Sequence, residues 1–538
     1  MKKSILIIFY LLANYVAFSI PNPKVIKKNT PKQAKIINGT TTSAPFQVLL
    51  GSTSNPGGGM IIADKWILTA GHTASSSPVY VGVTNRISLP TPRNTSAVYK
   101  HPSFNQTPNP SNDIGLIQLE QPVGFSSTID PIKLASSNNA SQWNTGQSGY
   151  VYGFGQTNSG SLSQVLLRTS VNLQSNANSN AEKKIYASGP GTNDACNGDS
   201  GGPITNLSNP GNTSTIAIGV VSSNLNGGAS SGCGTGGKYT KIADYLQWII
   251  ETIHIQGSPN FVCGNTTFSN LSVLPDGVSF TWKASPSSLF TDSTGTGLTF
   301  TTAKKGLNNG WGTVSLKVNL PNGTIFTVIK ENIWVGNPDN ISLTTDGTFS
   351  LNGNSTSICK NFGYCLTSSA LNNGKTTATD FTYSGWPTSN AFLNTSKVST
   401  KDDKVCFGSN TTGSYYLTIY ANNGTCSIGR SILVQVNSCG YKIVSNPAQT
   451  TLSILFESPQ QLESIPDNID LYDEKQKIVK SIDLKEKKKE ASKDISLAKE
   501  LEKIDLDVKD LPRGVYYLHL TFGNSKDKQM DEIRILLN

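Results

Sequence analysis

Ser200 lies in a loop whose residues would suit a nucleophile. The loop, residues 193–203, reads NDACNGDSGGP, so the serine follows Gly-Asp and precedes Gly-Gly-Pro. Glycine lets a backbone bend sharply and lets its amide groups come close to a ligand. A serine hydroxyl is a poor nucleophile, however, until a base removes its proton. The loop therefore predicts that a base, and an acid to orient that base, lie elsewhere in the chain.

Two earlier segments offer these groups. His72 ends the segment TAGH, which follows two predicted strands, and a histidine can exchange protons near neutral pH. Asp113 is the second residue of the strand-like segment NDIGLIQL, residues 112–119. An aspartate before an apolar strand is usually a turn residue, but this one could accept a hydrogen bond from the histidine and fix its tautomer. The order His72, Asp113, Ser200 is that of the chymotrypsin-like class, and the three motifs together resemble those of the trypsin-like serine proteases (S1 family).

The resemblance covers residues 36–257 and implies both a fold and a mechanism. The fold would consist of two six-stranded β-barrels with a C-terminal helix, which the apolar spacing of residues 243–253 also predicts. In the mechanism, His72 and Asp113 would activate the serine, which would form an acyl-enzyme while hydrolysing a peptide bond. The backbone amides of Gly198 and Ser200 would form the oxyanion hole.

The resemblance also implies a specificity pocket. Asp194, six residues before the serine, would lie at its base, where a buried carboxylate selects Lys or Arg side chains. The alternative for this residue is an exposed loop acid. Ser222, Asn224 and Gly237 would line the pocket. Residues 222–224 read SSN where the family usually has Ser-Trp-Gly, so an apolar wall is lost and Asn224 would narrow the entrance.

Activation and one disulfide follow from the same resemblance. The segment KIING, residues 35–39, resembles the site at which such precursors are cleaved, here after Lys35. The new ammonium at Ile36 would pair with the buried carboxylate of Asp199, since a buried carboxylate needs a partner. The alternative is a strand start in a basic linker. Cys196 would form a disulfide with Cys233.

Composition limits the classes of function. The chain has 538 residues, which is too long for one domain. Its net charge is +9, and only 15% of its residues are charged. The positive charges are dispersed and form no basic stripe, so no nucleic-acid partner is expected. Residues 73–112 lack Asp and Glu, and no His/Cys cluster has zinc-ligand spacing, so no metal and no cofactor are expected.

The N-terminus predicts export. Residues 1–19 combine two lysines with an apolar stretch and small residues before a cleavage point, as in a signal peptide. A membrane anchor is the alternative, but the apolar run is short and prolines follow it. Residues 20–35 would be an activation propeptide. Export makes disulfides plausible for the eight cysteines, and no later segment is apolar enough to give the mature chain a transmembrane segment.

The remainder of the chain predicts accessory β-domains. Residues 258–341 and 342–440 show short alternating strands with Gly and Asn turns, which favours two immunoglobulin-like β-sandwiches. These could bind a ligand or act only as spacers. Six cysteines lie beyond residue 257, and spacing leaves all fifteen pairings open: Cys263, Cys359, Cys365, Cys406, Cys426 and Cys439.

Residues 441–538 resemble another known module. Their Asn-Pro start, the segment GVYYLHL at 514–520 and an aliphatic last strand resemble the C-terminal sorting domain of the type IX secretion system of Bacteroidota. The alternative is a further β-sandwich spacer. The Lys/Glu-rich run at residues 485–503 predicts a solvated helix or a flexible loop.

Taken together, the sequence predicts a mainly β, secreted or surface-exposed serine endopeptidase made as a zymogen. Its expected partners are protein or peptide substrates, an activating protease and the type IX secretion machinery. A rival hypothesis is a non-catalytic surface adhesin that uses a protease-like fold only to bind.

Overall fold

The structure is a computed structural model, and it describes residues 36–538 with short internal gaps. The gaps are residues 108–109, 175–178, 189–192, 226–232, 347–348, 361–362, 400, 438–439, 445, 458, 460–461 and 524–528. The predicted signal peptide, the predicted propeptide with Lys35, and Cys439 therefore lie outside the described residues.

The segment from residue 36 to residue 257 is built almost wholly from strands. Its strands, in chain order, are β1 Thr40–Thr41, β2 Gln47–Gly51, β3 Pro56–Ala63, β4 Trp66–Thr69, β5 Val79–Val81, β6 Thr95–Lys100, β7 Gly115–Leu119, β8 Lys133–Leu134, β9 Ser148–Gly153, β10 Leu167–Gln174, β11 Lys184–Ser188, β12 Pro203–Asn206, β13 Ile216–Asn224 and β14 Gly237–Lys241. Helix α1, Leu246–Gly257, follows them, and two 3-10 helices span Ser137–Trp143 and Ile242–Tyr245.

The strands form two barrels. The first contains six strands in the order β5-β2-β3-β4-β7-β6. In the second, strands β9, β10, β11, β14, β13 and β12 form a closed ring, because β9 pairs with both β10 and β12. Strand β1 adds to β10, and β8 runs parallel to β13. The prediction of two six-stranded barrels followed by a helix is confirmed.

Glycines let the two barrels approach each other closely. A Cβ atom on Gly58, in β3, would lie 2.6 Å from the Cα atom of Gly202, in the serine loop. The amide of Gly58 donates to the carbonyl oxygen of Ser200 at 2.7 Å. The first barrel therefore supports the serine loop of the second through backbone contacts that a side chain would prevent.

The chain beyond residue 257 forms three further pairs of β-sheets. The first sheet pair contains β15 Phe261–Val262, β16 Thr266–Ser269, β17 Ser279–Ser285, β18 Thr294–Thr296, β19 Thr299–Thr302, β20 Gly310–Asn319 and β21 Ile325–Val335. The second sheet pair contains β22 Ile341–Thr345, β23 Ser355–Cys359, β24 Tyr364–Asn372, β25 Lys375–Thr376, β26 Asp380–Ser384, β27 Ala391–Lys397, β28 Asp402–Ser409, β29 Gly413–Asn423 and β30 Cys426–Asn437.

The third sheet pair completes the described chain. It contains β31 Tyr441–Val444, β32 Thr451–Phe456, β33 Asn468–Tyr472, β34 Ile478–Asp483, helix α2 Lys485–Ala491, β35 Lys503–Asp507, β36 Gly514–Phe522 and β37 Gln529–Leu537. Short 3-10 helices span Leu462–Ser464 and Ile495–Leu501. The Lys/Glu-rich run thus contains helix α2, as one of its two predicted forms required. Neither α1 nor α2 has the length and apolar composition that a membrane-crossing helix needs, and these are the α-helices of the described residues.

The sheet pairs explain the alternating sequence pattern of this region. Strand β17, SFTWKAS, buries every second side chain, as a strand with one face in the core must. Each sheet pair also has its own topology: the first combines sheets of five and two strands, the second of five and four, and the third of three and four. Mainly β structure after the barrels is confirmed, whereas the identity of each unit as a known module remains a prediction.

Disulfides join and brace the sheet pairs. Cys263 is bonded to Cys426, which connects the first sheet pair to the second, and Cys365 is bonded to Cys406 within the second. Cys359 is also disulfide-bonded. Sequence spacing could not select these pairings, because the partners meet only after the strands pair.

The first sheet pair packs directly on the barrels. Its apolar residues and those of α1 belong to one continuous buried cluster. At the edge of this contact, Asp276 accepts hydrogen bonds from Lys133 Nζ at 2.9 Å and from Asn139 Nδ2 at 2.8 Å. The hydrophobic core therefore continues past residue 257, the boundary expected from the sequence.

Candidate active site

His72 and Asp113 are joined by two hydrogen bonds. His72 follows strand β4 and Asp113 precedes strand β7, and these strands are neighbours in the first barrel. The backbone amide of His72 donates to Asp113 Oδ1 at 2.9 Å, and its ring atom Nδ1 lies 2.8 Å from Asp113 Oδ2. Since an ionised carboxylate only accepts, Nδ1 carries the hydrogen and Nε2 is left as the acceptor. The arrangement fixes the tautomer that a general base needs.

Asp113 is fully buried and makes further hydrogen bonds. Ser222 Oγ donates to Asp113 Oδ2 at 2.6 Å, and Thr240 Oγ1 donates to its carbonyl oxygen at 2.8 Å. Burial works to raise the pKa of Asp113. The hydrogen bond and charge of His72, the Ser222 hydroxyl and the cation of Lys184 outweigh burial and hold that pKa below its ordinary value.

Ser200 and His72 both line an open cleft of about 390 Å³. Among the described residues, the cleft is also lined by the three predicted wall residues Ser222, Asn224 and Gly237. The hydroxyl of Ser222 donates its hydrogen bond to Asp113. Ser222 therefore also supports the catalytic aspartate, besides lining the cleft.

The loop before Ser200 turns through a glycine. Gly198 has φ +99°, a left-handed conformation that favours glycine. A Cβ atom at Gly198 would also lie 3.0 Å from the Cα atom of Gly155. Gly198 and Ser200 line a second face of the same region together with His72. The turn thus puts the backbone of both predicted oxyanion-hole residues beside the histidine.

Asp199 is a fully buried carboxylate beside the serine. Its Oδ1 accepts from the amide of Gly155 at 2.7 Å, and its Oδ2 accepts from the amide of Cys196 at 2.8 Å. Burial raises the pKa of Asp199 to about 7, against the effect of these two amides. Ile36, the first described residue, is also fully buried, although nothing in the described contacts joins it to Asp199.

Asp194 is almost completely buried, with 1% of its surface exposed. Its Oδ2 accepts from the amides of Gly234 and Gly236 at 3.0 and 2.9 Å. Its Oδ1 is buried and makes no hydrogen bond of regular geometry with the described residues. Burial raises the pKa of this carboxyl group. The alternative of an exposed loop acid is therefore wrong.

A disulfide braces the same loops. Cys196, four residues before Ser200, is bonded to Cys233. This bond ties the serine loop to the segment that supplies Gly234 and Gly236 to Asp194. The pairing is the one implied by the family resemblance.

One residue near the site received no role from the sequence. Lys184, at the start of β11, has only 2% of its surface exposed. Its Nζ atom donates to Ser222 Oγ at 2.7 Å and to Thr240 Oγ1 at 2.9 Å. In the sequence, charged residues precede Lys184 and apolar residues follow it. The sequence could have pointed to this residue only as a lysine at the start of an apolar strand.

The described residues contain no group of three or more His, Cys, Asp or Glu side chains placed to hold a metal ion. The donors that converge at the cleft are those of a histidine, hydroxyl groups and backbone amides. Such groups suit proton transfer and nucleophilic attack.

Comparison with known proteins agrees with this geometry. A family model described as Trypsin matches residues 36–249. The chain is 33% identical over 241 residues to Trypsin beta of Drosophila erecta, a match that covers 40% of this chain and 88% of that protein. It is 32% identical over 264 residues to the complement C1s subcomponent of Rattus norvegicus, covering 42% of this chain and 36% of that protein.

A third relative matches over the same region. Vitamin K-dependent protein C of Rattus norvegicus is 32% identical over 244 residues, or 40% of this chain and 51% of that protein. The chain thus spans about a third of the length of complement C1s and about half that of protein C. Trypsin beta, in contrast, is matched over most of its length. The chain belongs to the trypsin family of serine proteases.

Proposed function

We propose that the chain is a secreted serine endopeptidase that hydrolyses proteins through an acyl-enzyme on Ser200. The observation that carries the proposal is the double hydrogen bond from His72 to a buried Asp113, in the cleft that Ser200 also lines. This arrangement leaves His72 Nε2 as an acceptor that is available to the Ser200 hydroxyl. A surface adhesin would not need a histidine held in one tautomer by a buried carboxylate.

The chemistry follows from these groups. His72 Nε2 takes the proton of Ser200 Oγ as that oxygen attacks the scissile carbonyl carbon. The carbonyl oxygen becomes an oxyanion, which the amides of Gly198 and Ser200 stabilise. His72 then gives the proton to the leaving amine, and an acyl-enzyme remains on the serine. Water, activated by the same histidine, hydrolyses the ester and restores Ser200.

Labelling with a fluorophosphonate probe tests this mechanism directly. The activated full-length protein should be labelled on Ser200 and should cleave an unfolded protein substrate. Ser200→Ala should lose the label and lower kcat/KM by at least about a thousandfold. A matched control is Ser223→Ala, which removes a neighbouring hydroxyl but keeps the serine. Labelling at another residue, or equal hydrolysis by Ser200→Ala, would refute the proposal and favour the adhesin.

We further propose that the protease cleaves after Lys or Arg. The proposal is supported by the buried Oδ1 atom of Asp194, which has no regular hydrogen bond with the described residues, so a substrate cation could satisfy it. Asp194 is not itself among the described residues that line the cleft, but Ala195 and Cys196, which follow it, are. The altered wall at Ser223 and Asn224 leaves the charge of Asp194 in place. A panel of peptide substrates measures the preference. Asp194→Ser should lower kcat/KM for Arg and Lys peptides at least tenfold while sparing Phe peptides, and a wild-type preference for Phe would sink the idea.

Activation would follow cleavage between Lys35 and Ile36. Asp199 supports this step, because burial without a cation raises its pKa to about 7 and a new ammonium would stabilise its charged form. After treatment with trypsin, the unsubstituted precursor should gain protease activity as a new N-terminus at Ile36 appears. The Lys35→Gln precursor should stay inactive after the same treatment. Full activity in uncleaved precursor would contradict this route.

For the rest of the chain we propose export and accessory roles. Residues 1–19 would act as the signal peptide and residues 441–538 as a type IX sorting domain, with two immunoglobulin-like units at 258–341 and 342–440 between the protease and the sorting domain. The intrachain disulfides support an oxidising destination. A chain truncated at Tyr441 should stay inside the producing cell, and its normal export would refute the sorting role.

A further inference from the structure

Lys184 lies behind the catalytic aspartate and is buried. Its ammonium group donates to the hydroxyls of Ser222 and Thr240 at 2.7 and 2.9 Å. Burying a charged group is unfavourable unless it is paired and hydrogen-bonded. The catalytic steps described above do not use this group, so its position needs a separate explanation.

Both hydroxyls that accept from Lys184 donate to Asp113. Ser222 Oγ donates to Oδ2 at 2.6 Å, and Thr240 Oγ1 donates to the carbonyl oxygen at 2.8 Å. A hydroxyl has one hydrogen and two lone pairs. With that hydrogen directed at Asp113, each hydroxyl can only accept from the ammonium. Lys184 therefore sets the direction of both hydroxyls, and the chain of hydrogen bonds continues from Asp113 Oδ2 to His72 Nδ1 at 2.8 Å.

The same arrangement brings a cation close to the carboxylate. Lys184 is two hydrogen bonds away from Asp113 Oδ2 through Ser222. Asp113 and Glu182 stabilise its charge, Lys238 opposes it, and burial is the largest effect. Together they lower the pKa of Lys184 to about 8, which leaves it mostly protonated at neutral pH.

We propose that Lys184 is a positioning residue for proton transfer at His72. It directs the two hydroxyls onto Asp113 and offsets part of the negative charge that Asp113 presents to the imidazole. A like charge disfavours protonation of a neighbouring group. Lys184 therefore disfavours the imidazolium form of His72 in the resting enzyme and keeps the base available at lower pH. This inference rests on the proposed protease function.

The effect belongs to proton transfer and not to substrate binding. Lys184 is absent from the described lining of the cleft, whereas His72 and Ser200 are part of it. Asp113 contacts the histidine directly, and Lys100 lines the neighbouring pocket that His72 and Ser200 also line. Both remain unchanged when Lys184 is replaced. A neutral residue at position 184 should therefore alter kcat and its pH dependence and leave KM nearly unchanged.

The test is the pH profile of kcat/KM for the activated full-length protein. Lys184→Met should move the midpoint of the acid limb to higher pH by roughly half a pH unit or more, because the cation lies three hydrogen bonds from the imidazole and its effect falls with distance. Lys184→Gln, a smaller perturbation that keeps a donor, should give the same shift, and Lys184→Arg should not. Lys241→Met is the matched control, because Lys241 lies at the end of the same sheet and pairs with Asp244 at 2.8 Å.

A purely structural role would give a different result. Lys184→Met would then lower stability or the number of active sites, and the midpoint of the acid limb would stay within about 0.2 pH unit of wild type. That outcome overturns the proposal, as does a rise in KM with an unchanged pH profile. Titration with a fluorophosphonate counts the active sites, so that partial misfolding is not read as a change in kcat.

A second measurement needs no variant at position 184. In Ser200→Ala protein with ¹⁵N-labelled lysine, the Nζ signal in contact with Ser222 should be that of a charged ammonium at pH 6. A neutral amine at pH 6 would overturn the proposal even if the neutral variants fail to fold. If the unsubstituted protein cleaves no peptide, the protease function itself fails, and this signal still decides whether the charged network exists.

Discussion

His254 should make the contact between the barrels and the first sheet pair sensitive to acid. It lies in the last turn of α1 and is fully buried. Its Nε2 atom donates to the carbonyl oxygen of Val314, in β20, at 2.9 Å, and its Nδ1 atom lies 3.3 Å from Ser258 Oγ. Both ring nitrogens are thus satisfied in the neutral form. Burial lowers the pKa of His254 from 6.5 to about 4, against the Val314 carbonyl and with help from the Lys330 charge.

The direction of the pH effect follows from this shift. The unfolded chain takes up a proton at His254 below about pH 6.5, whereas the folded chain takes it up only near pH 4. The stability that depends on a neutral His254 is therefore present above pH 6.5 and is lost as the pH falls towards 4. Between pH 7 and pH 5, linkage gives a loss of about 2 kcal/mol from this one group.

The comparison needs a variant that cannot take up the proton. His254→Gln keeps an amide that can donate to Val314, and Ser200→Ala in both proteins prevents self-digestion. Peptide-resolved hydrogen exchange in urea gives the free energy of opening around α1 and β20 at each pH. All other titrating groups are shared, so the difference between the two proteins isolates His254. That difference should be about 2 kcal/mol smaller at pH 5 than at pH 7.

A difference that is the same at both pH values would refute the reasoning. It would mean that the imidazole is solvated or that the proton is accommodated in the fold. A difference confined to the second or third sheet pair would be equally contrary, because the described contacts of His254 are with Val314, Ser258 and Trp282.

Three further predictions concern the same scaffold. Asp276→Ala should reduce stability at the first sheet pair by about 1 kcal/mol, since the aspartate is 41% exposed and its ion pair is screened, and thermal unfolding with added salt checks this. The double variant Cys196→Ser/Cys233→Ser should lose about 4 kcal/mol in chemical unfolding, because the bond closes a loop with a sequence separation of 37. Gly153→Ala should abolish activity, because its Cβ would clash with Asp199 Oδ1. Gly160→Ala, which is strained by its φ of +77° but meets no atom within 4 Å, should keep most activity in a peptide assay.

The proposed catalytic residues could be found from sequence because short segments carry them. His72, Asp113 and Ser200 each lie in a segment of four to eleven residues with its own pattern of glycines or apolar residues. Their order along the chain then selected one fold. Strand alternation likewise gave the β-rich character of the region beyond residue 257, since it depends only on neighbouring residues.

The network behind Asp113 could not be found in this way. Lys184 pairs across the sheet with Thr240, and Ser222 reaches the same point from the neighbouring strand. Each of these residues is ordinary in its own segment. Their meeting depends on the register of three strands far apart in sequence, and no periodicity records that register. The contact of His254 with Val314 could not be predicted either, because it depends on how helix α1 packs against strand β20, far away in the sequence.

The three buried carboxylates of the site differ in how far neighbouring groups balance their negative charge. This difference predicts when each of them should acquire a cation. The carboxylate of Asp113 has the His72 ring, the Ser222 hydroxyl and the nearby cation of Lys184, and its pKa lies below the ordinary value. Among the described residues Asp199 accepts from two backbone amides, and burial raises its pKa to about 7.

Asp194 has amides at one oxygen, and burial raises its pKa too. A buried carboxylate without a cation is an unfavourable state that a cation relieves. We therefore expect the charge of Asp113 to be balanced already in the folded chain. We expect the ammonium of Ile36 to balance Asp199 after cleavage, and a substrate cation to balance Asp194. Calorimetry of the activated Ser200→Ala protein tests the last of these expectations: benzamidine, a small aryl cation, should bind with release of any proton held by Asp194, and it should not bind to Asp194→Ser.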